Sequence, residues 1–483
     1  MLVPRARREA VSCSTLLLAS FAAAQSVPVE LFSQETYFKV LSTANSSEAP
    51  STWPEFTTSD GRWSSQPETD WTSAFFPVSL FLLHERSLLC PQDTVDTDWL
   101  ALARSWSAAL YSPSEEVVSS WTHDIGFNSL PELYELHFNP SNGTARRSLL
   151  DNANALASRF SSVVGCTRSW DRGEGDFEVI IDNMANLQLL VAASRLASKS
   201  TFLDMAASHA EKTMQNHVRS DGSSFHVVDY SPTTGDVQWQ GTAQGLANSS
   251  TWSRGQAWGA LGFALMANAT GRTDFLETSR RMASFFVNHL PSEGVSYWDF
   301  NATPPTTLDT SASNIMASTL LLLSSFESSL GNNTAAKIWS DSALTLLSNV
   351  VEQGVTEWRG ESIVGNGTVN NRANPPNNNT GIVYGDTYFL QSGNYLLKLG
   401  LANCSDGSTA QGASPSALSS SLLTNSSSSV STPDGSNTGG DTEGGSGGDG
   451  NSGGGNACRR TKGSPSPVFR LASKVVRRLS ASR

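Results

Sequence analysis

The sequence predicts a mostly α fold assembled from helical hairpins, and three observations carry that expectation. Apolar residues recur three and four positions apart through most of the chain between Gln25 and Leu401. Strand-like alternation is rare and short, as at Ser224 to Tyr230. Six similar segments, built from Trp, Asp, Ser, Thr and Tyr, each stand just ahead of an apolar helix.

The helical periodicity is read over 71–89, 98–110, 145–160, 183–197, 202–214, 255–267, 275–286, 312–326 and 335–350. The six starts are Trp71-Thr72-Ser73, Trp121-Thr122-His123-Asp124, Ile181-Asp182-Asn183, Trp252-Ser253-Arg254-Gly255, Asp309-Thr310-Ser311 and Tyr384-Gly385-Asp386-Thr387. Their spacing of roughly 50 to 75 residues suits two helices plus loops per unit. Six units closed into a ring would gather the inner-helix starts around one mouth, where free N–H groups and partial positive charge favour an anionic sugar. Any one start taken alone is explained by ordinary capping.

The two ends read differently. Arg5, Arg7 and Arg8 precede an apolar run from Cys13 that closes on Ala22-Ala23-Ala24, the order of a secretory signal, so residues 1–24 are expected to be a signal peptide. The catalytic domain is expected over 25–404. Residues 405–457 are rich in Ser, Thr and Gly and too poor in apolar groups to offset their ordering entropy, so they read as a disordered linker. Residues 458–483 form a basic tail, too charged for a lipid-anchor signal. Asn-x-Ser/Thr acceptors at Asn45, Asn142, Asn248, Asn268, Asn301, Asn332, Asn366, Asn378, Asn403 and Asn425 suit a secreted glycoprotein, free or cell-wall-associated. No apolar run past the signal reaches the roughly 18 residues a membrane span needs. A net charge of −12 argues against a nucleic-acid partner. Of the five cysteines, Cys13 leaves with the signal; one disulfide among Cys90, Cys166 and Cys404 is expected, with the pairing open. No metal or cofactor motif is present, and the oligomeric state is open.

The chemistry concentrates in three segments. Asp124 and Asp182 each sit at a helix start in apolar surroundings, with Asn128 and Asn186 four residues on. Burial raises an aspartate's pKa and a second carboxylate raises it further, the arrangement that acid–base sugar chemistry uses. Asp182 follows Val179-Ile180-Ile181, so it is expected to be the drier of the two and the proton carrier. The competing reading makes both plain N-caps. In the third segment, Arg254 and Trp258 share a helical face and are expected to clamp a sugar carboxylate, by guanidinium fork and indole platform. His226 and Gln244 are polar candidates in loop-like sequence.

Together these segments resemble glycoside hydrolase family 88, the unsaturated glucuronyl hydrolases, over about 37–399. The match rests on His123-Asp124-Ile125-Gly126-Phe127, Ile181-Asp182-Asn183-Met184 and Trp252 to Trp258, with support from Tyr297-Trp298-Asp299-Phe300. The resemblance implies an (α/α)6 barrel and hydration of the vinyl ether in a 4,5-unsaturated uronic acid at the non-reducing end of an oligosaccharide. It implies Asp182 as the general acid, Asp124 as the assisting carboxylate, and His123, His226, Gln244, Arg254 and Trp258 as substrate contacts. The alternatives are an unsaturated rhamnogalacturonyl hydrolase, an endo-mannanase, and a non-catalytic carbohydrate-binding protein on the same barrel. Endo-mannanases use an Asp-Asp pair that the chain lacks.

Overall fold

The computed structural model describes residues 26–46, 50–92, 95–111, 122–173 and 175–404. The expected signal peptide, linker and basic tail lie outside them, as do Trp121, Asn425 and Cys458.

Six inner helices form a closed ring. They are α2 (Phe75–Leu89), the pair α4 (Ile125–Asn128) and α5 (Leu130–Phe138), the pair α7 (Asn183–Asn186) and α8 (Gln188–Ala197), α10 (Ser253–Thr270), α12 (Thr310–Ser329) and α14 (Val383–Lys398). Each packs on the next, and α14 returns to α2. Outside them lie α1 (Gln34–Ala44), α3 (Trp99–Ser107), α6 (Gly143–Ser158), α9 (Ser200–Asn216), α11 (Thr273–Asn288) and α13 (Asn333–Gly354). The hairpin count from sequence therefore holds. The first and last elements complete the ring, since the buried Arg86 of α2 donates to Leu31 O, Leu390 O and Asn394 Oδ1.

Layer position explains the sequence pattern. Outer helices show one apolar face: on α9, Phe202, Ala206, His209, Ala210 and Thr213 are buried at three- and four-residue spacing. Inner helices are buried almost all round, so α10 and α12 read as near-continuous runs of small and apolar residues. The 183–197 span, expected as one helix, is broken at Leu187 into α7 and α8. Helix α1 was not anticipated, and α5 and α14 were anticipated only from the starts ahead of them, with no periodic span of their own.

Short strands ride on the loops at one end of the ring. These are β1 (Trp53–Thr57) with β2 (Trp63–Gln66), β3 (Phe160–Ser161) with β4 (Cys166–Thr167), the sheet β5 (Phe177–Ile180), β6 (Val227–Tyr230) and β7 (Val237–Gly241), and β8 (Gly367–Asn370) with β9 (Asn377–Thr380). The open disulfide question resolves as Cys90–Cys404, with Cys166 buried and free.

Candidate active site

The antiparallel register of β5 and β6 sets Ile180 opposite Val227, and Ile181 N–H donates to His226 O at 2.9 Å. Asp182, two residues beyond Ile180, and His226, just before Val227, are thereby brought to one spot: His226 Nε2 lies 3.6 Å from Asp182 Oδ2. The second aspartate arrives through a backbone contact. Asn186 Oδ1 accepts the Phe127 N–H at 2.7 Å, and a Cβ on Gly126 would lie 2.4 Å from Asn186 O. Only glycine lets these two turns approach so closely. Neither aspartate makes a side-chain cap bond, so the N-cap reading fails for both, whereas Asp309 does cap α12.

The two carboxyls sit in unlike surroundings. Asp182 is 8% exposed, and burial, reinforced by Asp124 and opposed by Arg254, pushes it up to about 7. Asp124 keeps 20% of its side chain exposed, accepts from Thr122 Oγ1 and faces His123 Nε2 at 3.3 Å. The expectation that Asp182 is the drier group holds.

Each histidine's tautomer follows from its partners. His226 Nδ1 lies 3.2 and 3.3 Å from the N–H groups of Ala243 and Gln244, so it accepts, and the proton sits on Nε2 facing Asp182. Burial, with Arg254 adding to it, holds this ring well below the usual histidine range, hence neutral. His123 is the converse: Nδ1 meets Ser169 O at 3.2 Å, and a carbonyl only accepts, so the proton is on Nδ1. Its Nε2 then faces Asp124 Oδ1. Burial lowers this ring too, against the pull of Asp124.

Both aspartates and His123 line a cavity of about 260 Å³. Its polar wall is His123, Asp124, Asp182, Gln244, Arg254 and Asn370, and Trp71, Phe127, Trp170 and Trp252 supply aromatic faces. Trp170 stands edge-on to both histidines, and His226 lies 4.5 Å from Trp252, centroid to centroid.

The expected Arg254–Trp258 clamp is not what forms. Arg254 lies 4.6 Å over Trp252, and Trp258 is fully buried among Phe75, Phe127 and Tyr388 below the cavity. Residue 254 opens α10, so its long side chain runs outward to the mouth, while residue 258 lies one turn deeper. Nor is Arg254 a free fork. Its Nη1 donates to Asp309 Oδ2 at 2.8 Å and to Thr368 O, and its Nη2 donates to Val369 O at 2.7 Å. It fastens β8 to the mouth, and Gln244 Nε2 reaches the same Val369 O at 3.4 Å.

A curated relative from Formosa agariphila, an unsaturated glucuronyl hydrolase, is 33% identical over 337 residues, 68% of this chain and 80% of that protein. The chain belongs to the unsaturated glucuronyl hydrolases, glycoside hydrolase family 88. No family model matches the sequence. The solved unsaturated glucuronyl hydrolase of Bacillus sp. GL1 superposes with a TM-score of 0.67 at 27% identity, over 78% of this chain and 99% of that one. A structure of UGL with dGlcA-Glc-Rha-Glc aligns equally well, at TM-score 0.67, 27% identity and the same coverage. The family's (α/α)6 barrel is the ring described above.

Within this unsaturated glucuronyl hydrolase, five of the seven anticipated site residues line one cavity, Asp124, Asp182, His123, Gln244 and Arg254, and His226 stands behind Asp182. Trp258 lies outside the cavity. Sequence reasoning gave no site role to Trp71 and Trp252, although both stand in the repeated starts. Trp170 and Asn370 carried no signal, because each reaches the cavity through loop geometry that no periodicity records.

Proposed function

We propose that the chain hydrates the 4,5-unsaturated uronic acid at the non-reducing end of lyase-generated oligosaccharides, and that Asp182 is its proton donor. The observation that carries this reading is the buried Asp182 carboxyl, pushed up to about 7 at the wall of an aromatic-lined cavity. A vinyl ether is protonated at carbon, so the donor must hold its proton near neutral pH and compete with little water. Asp182 gives its proton to C4. Its conjugate base then takes a proton from the water whose oxygen adds to C5. The C5 hemiketal so formed opens and releases the rest of the oligosaccharide. Asp124, steadied by Thr122 and His123, holds the sugar hydroxyls. Gln244, Arg254 and the Trp252 ring define the remaining walls, and His226 backs Asp182. The curated relative's name and the UGL complex with dGlcA-Glc-Rha-Glc support the substrate class.

Loss of the alkene absorbance on a panel of unsaturated disaccharides tests the reading. Asp182→Asn is expected to fold normally and lose turnover by about 10²-fold or more. Near-normal turnover by that variant would overturn the assignment. Passage through the secretory route is part of the same proposal. It is supported by the charged, apolar, small-residue order of the N-terminus and by the Cys90–Cys404 disulfide, which belongs to an oxidising compartment.

A further inference from the structure

We propose that Asn248 carries an N-linked glycan whose first N-acetylglucosamine packs on the Trp239 ring and shields the outer edge of β7. This rests on the secretory reading and reaches beyond the hydrolase activity. Asn248-Ser249-Ser250 is an acceptor sequence, and Asn248 is exposed. Its Oδ1 faces the Thr242 N–H at 3.4 Å, which turns Nδ2, the atom that takes the sugar, away from the protein. Other acceptors differ: Nδ2 of Asn142 donates to Glu135 Oε1 at 2.9 Å, and Nδ2 of Asn378 to Asn371 Oδ1 at 2.6 Å.

A platform stands beside Asn248. The Trp239 ring and Asn248 Oδ1 both lie within 2.7 Å of the position a Cβ would take on Gly241, so indole and amide meet over that glycine. Trp239 is 40% exposed, and so is Val237 on the same strand, with Leu246 at 48% on the following loop. Among the described residues β7 pairs only with β6, so an apolar-decorated edge faces outward. Such edges are normally blunted or covered. A hexose ring stacked on the indole would bury the exposed face and place a bulky polar chain across the edge. The Ser250 hydroxyl is engaged with Asp299 Oδ2 at 2.6 Å in the folded loop, so the sugar is added before that loop closes.

The test uses the full chain produced through a eukaryotic secretory pathway, with glycopeptide mass spectrometry at every acceptor. Asn248 is expected to be occupied. If other acceptors carry sugar and Asn248 is bare, this proposal falls alone; if none does, it falls together with the secretory reading. With glycans trimmed to one N-acetylglucosamine, Trp239→Ala is expected to lower the melting temperature by about 1–3 °C. In an Asn248→Gln background, where only the indole's packing on the protein is lost, the drop should be smaller. An equal drop in both backgrounds would overturn the stacking.

Discussion

Asp182 is held in its acid form by burial, and that has two consequences of one sign. Its carboxyl is raised from 3.8 to about 7 in the folded chain. The acid form is in the majority below about 7, so turnover should fall as pH rises through that value, in a pH–rate profile on an unsaturated disaccharide. Its contribution to stability is complete below 3.8 and is lost as pH climbs through about 7. Glu132 shows the same physics without chemistry. It is fully buried and raised from 4.5 to about 8, with Oε1 accepting from Ser148 at 2.6 Å and Oε2 lacking a partner. Folding therefore takes up a proton at this site between about 4.5 and 8, and the opposing term grows across that window. Glu132→Gln keeps the Oε1 acceptor without the ionisation. It should raise the melting temperature at pH 8 and have little effect near pH 4; equal shifts at both would count against a protonated Glu132.

At the scale of elements, α10 holds the site together by being small on one side. Added Cβ atoms on Gly259 and Gly262 would lie 2.8 Å from Ile181 Cγ1 and 2.4 Å from the Met184 carbonyl carbon, the residues flanking Asp182. Gly262→Ala should cost about 1–3 kcal/mol and lower the denaturation midpoint, because backbone has to move to admit the methyl. At the head of the same helix, Arg254 pairs with the fully buried Asp309. Arg254→Met leaves that carboxylate unpaired, which costs about 3–5 kcal/mol in comparable buried pairs. Chemical denaturation reads the loss, and urea curves superposable on those of the unmodified chain would contradict it. The helices and the two aspartates were legible in the sequence because burial period and β-branched flanks are local. The stacking partner of Arg254 was not. Four-residue spacing places Arg254 and Trp258 on one face, but it does not say that one ends in the mouth and the other beneath it. The choice of Cys90 with Cys404 likewise depends on the ring closing, which no local pattern encodes.

For the molecule as a whole, the closure joins residues far apart in the chain. Cys90 ends α2 and Cys404 follows α14, 314 positions later. Cross-linking so long a loop stabilises chiefly by restricting the unfolded chain, by about 2–5 kcal/mol. A Cys90→Ser/Cys404→Ser double variant should therefore melt several degrees lower yet keep full turnover on the native fold, since neither sulfur lines the cavity. A double variant that melts with the unmodified chain would show the bridge to be dispensable. The same closure bears on how the molecule is made. Arg86 emerges from the ribosome early and has to wait for Leu390 and Asn394, which are translated some three hundred codons later. Until they appear, an arginine destined for the interior has water, Leu31 and Tyr37 to satisfy it. A nascent chain stopped before α14 would hold both aspartates in place in the sequence, with no finished vessel around them.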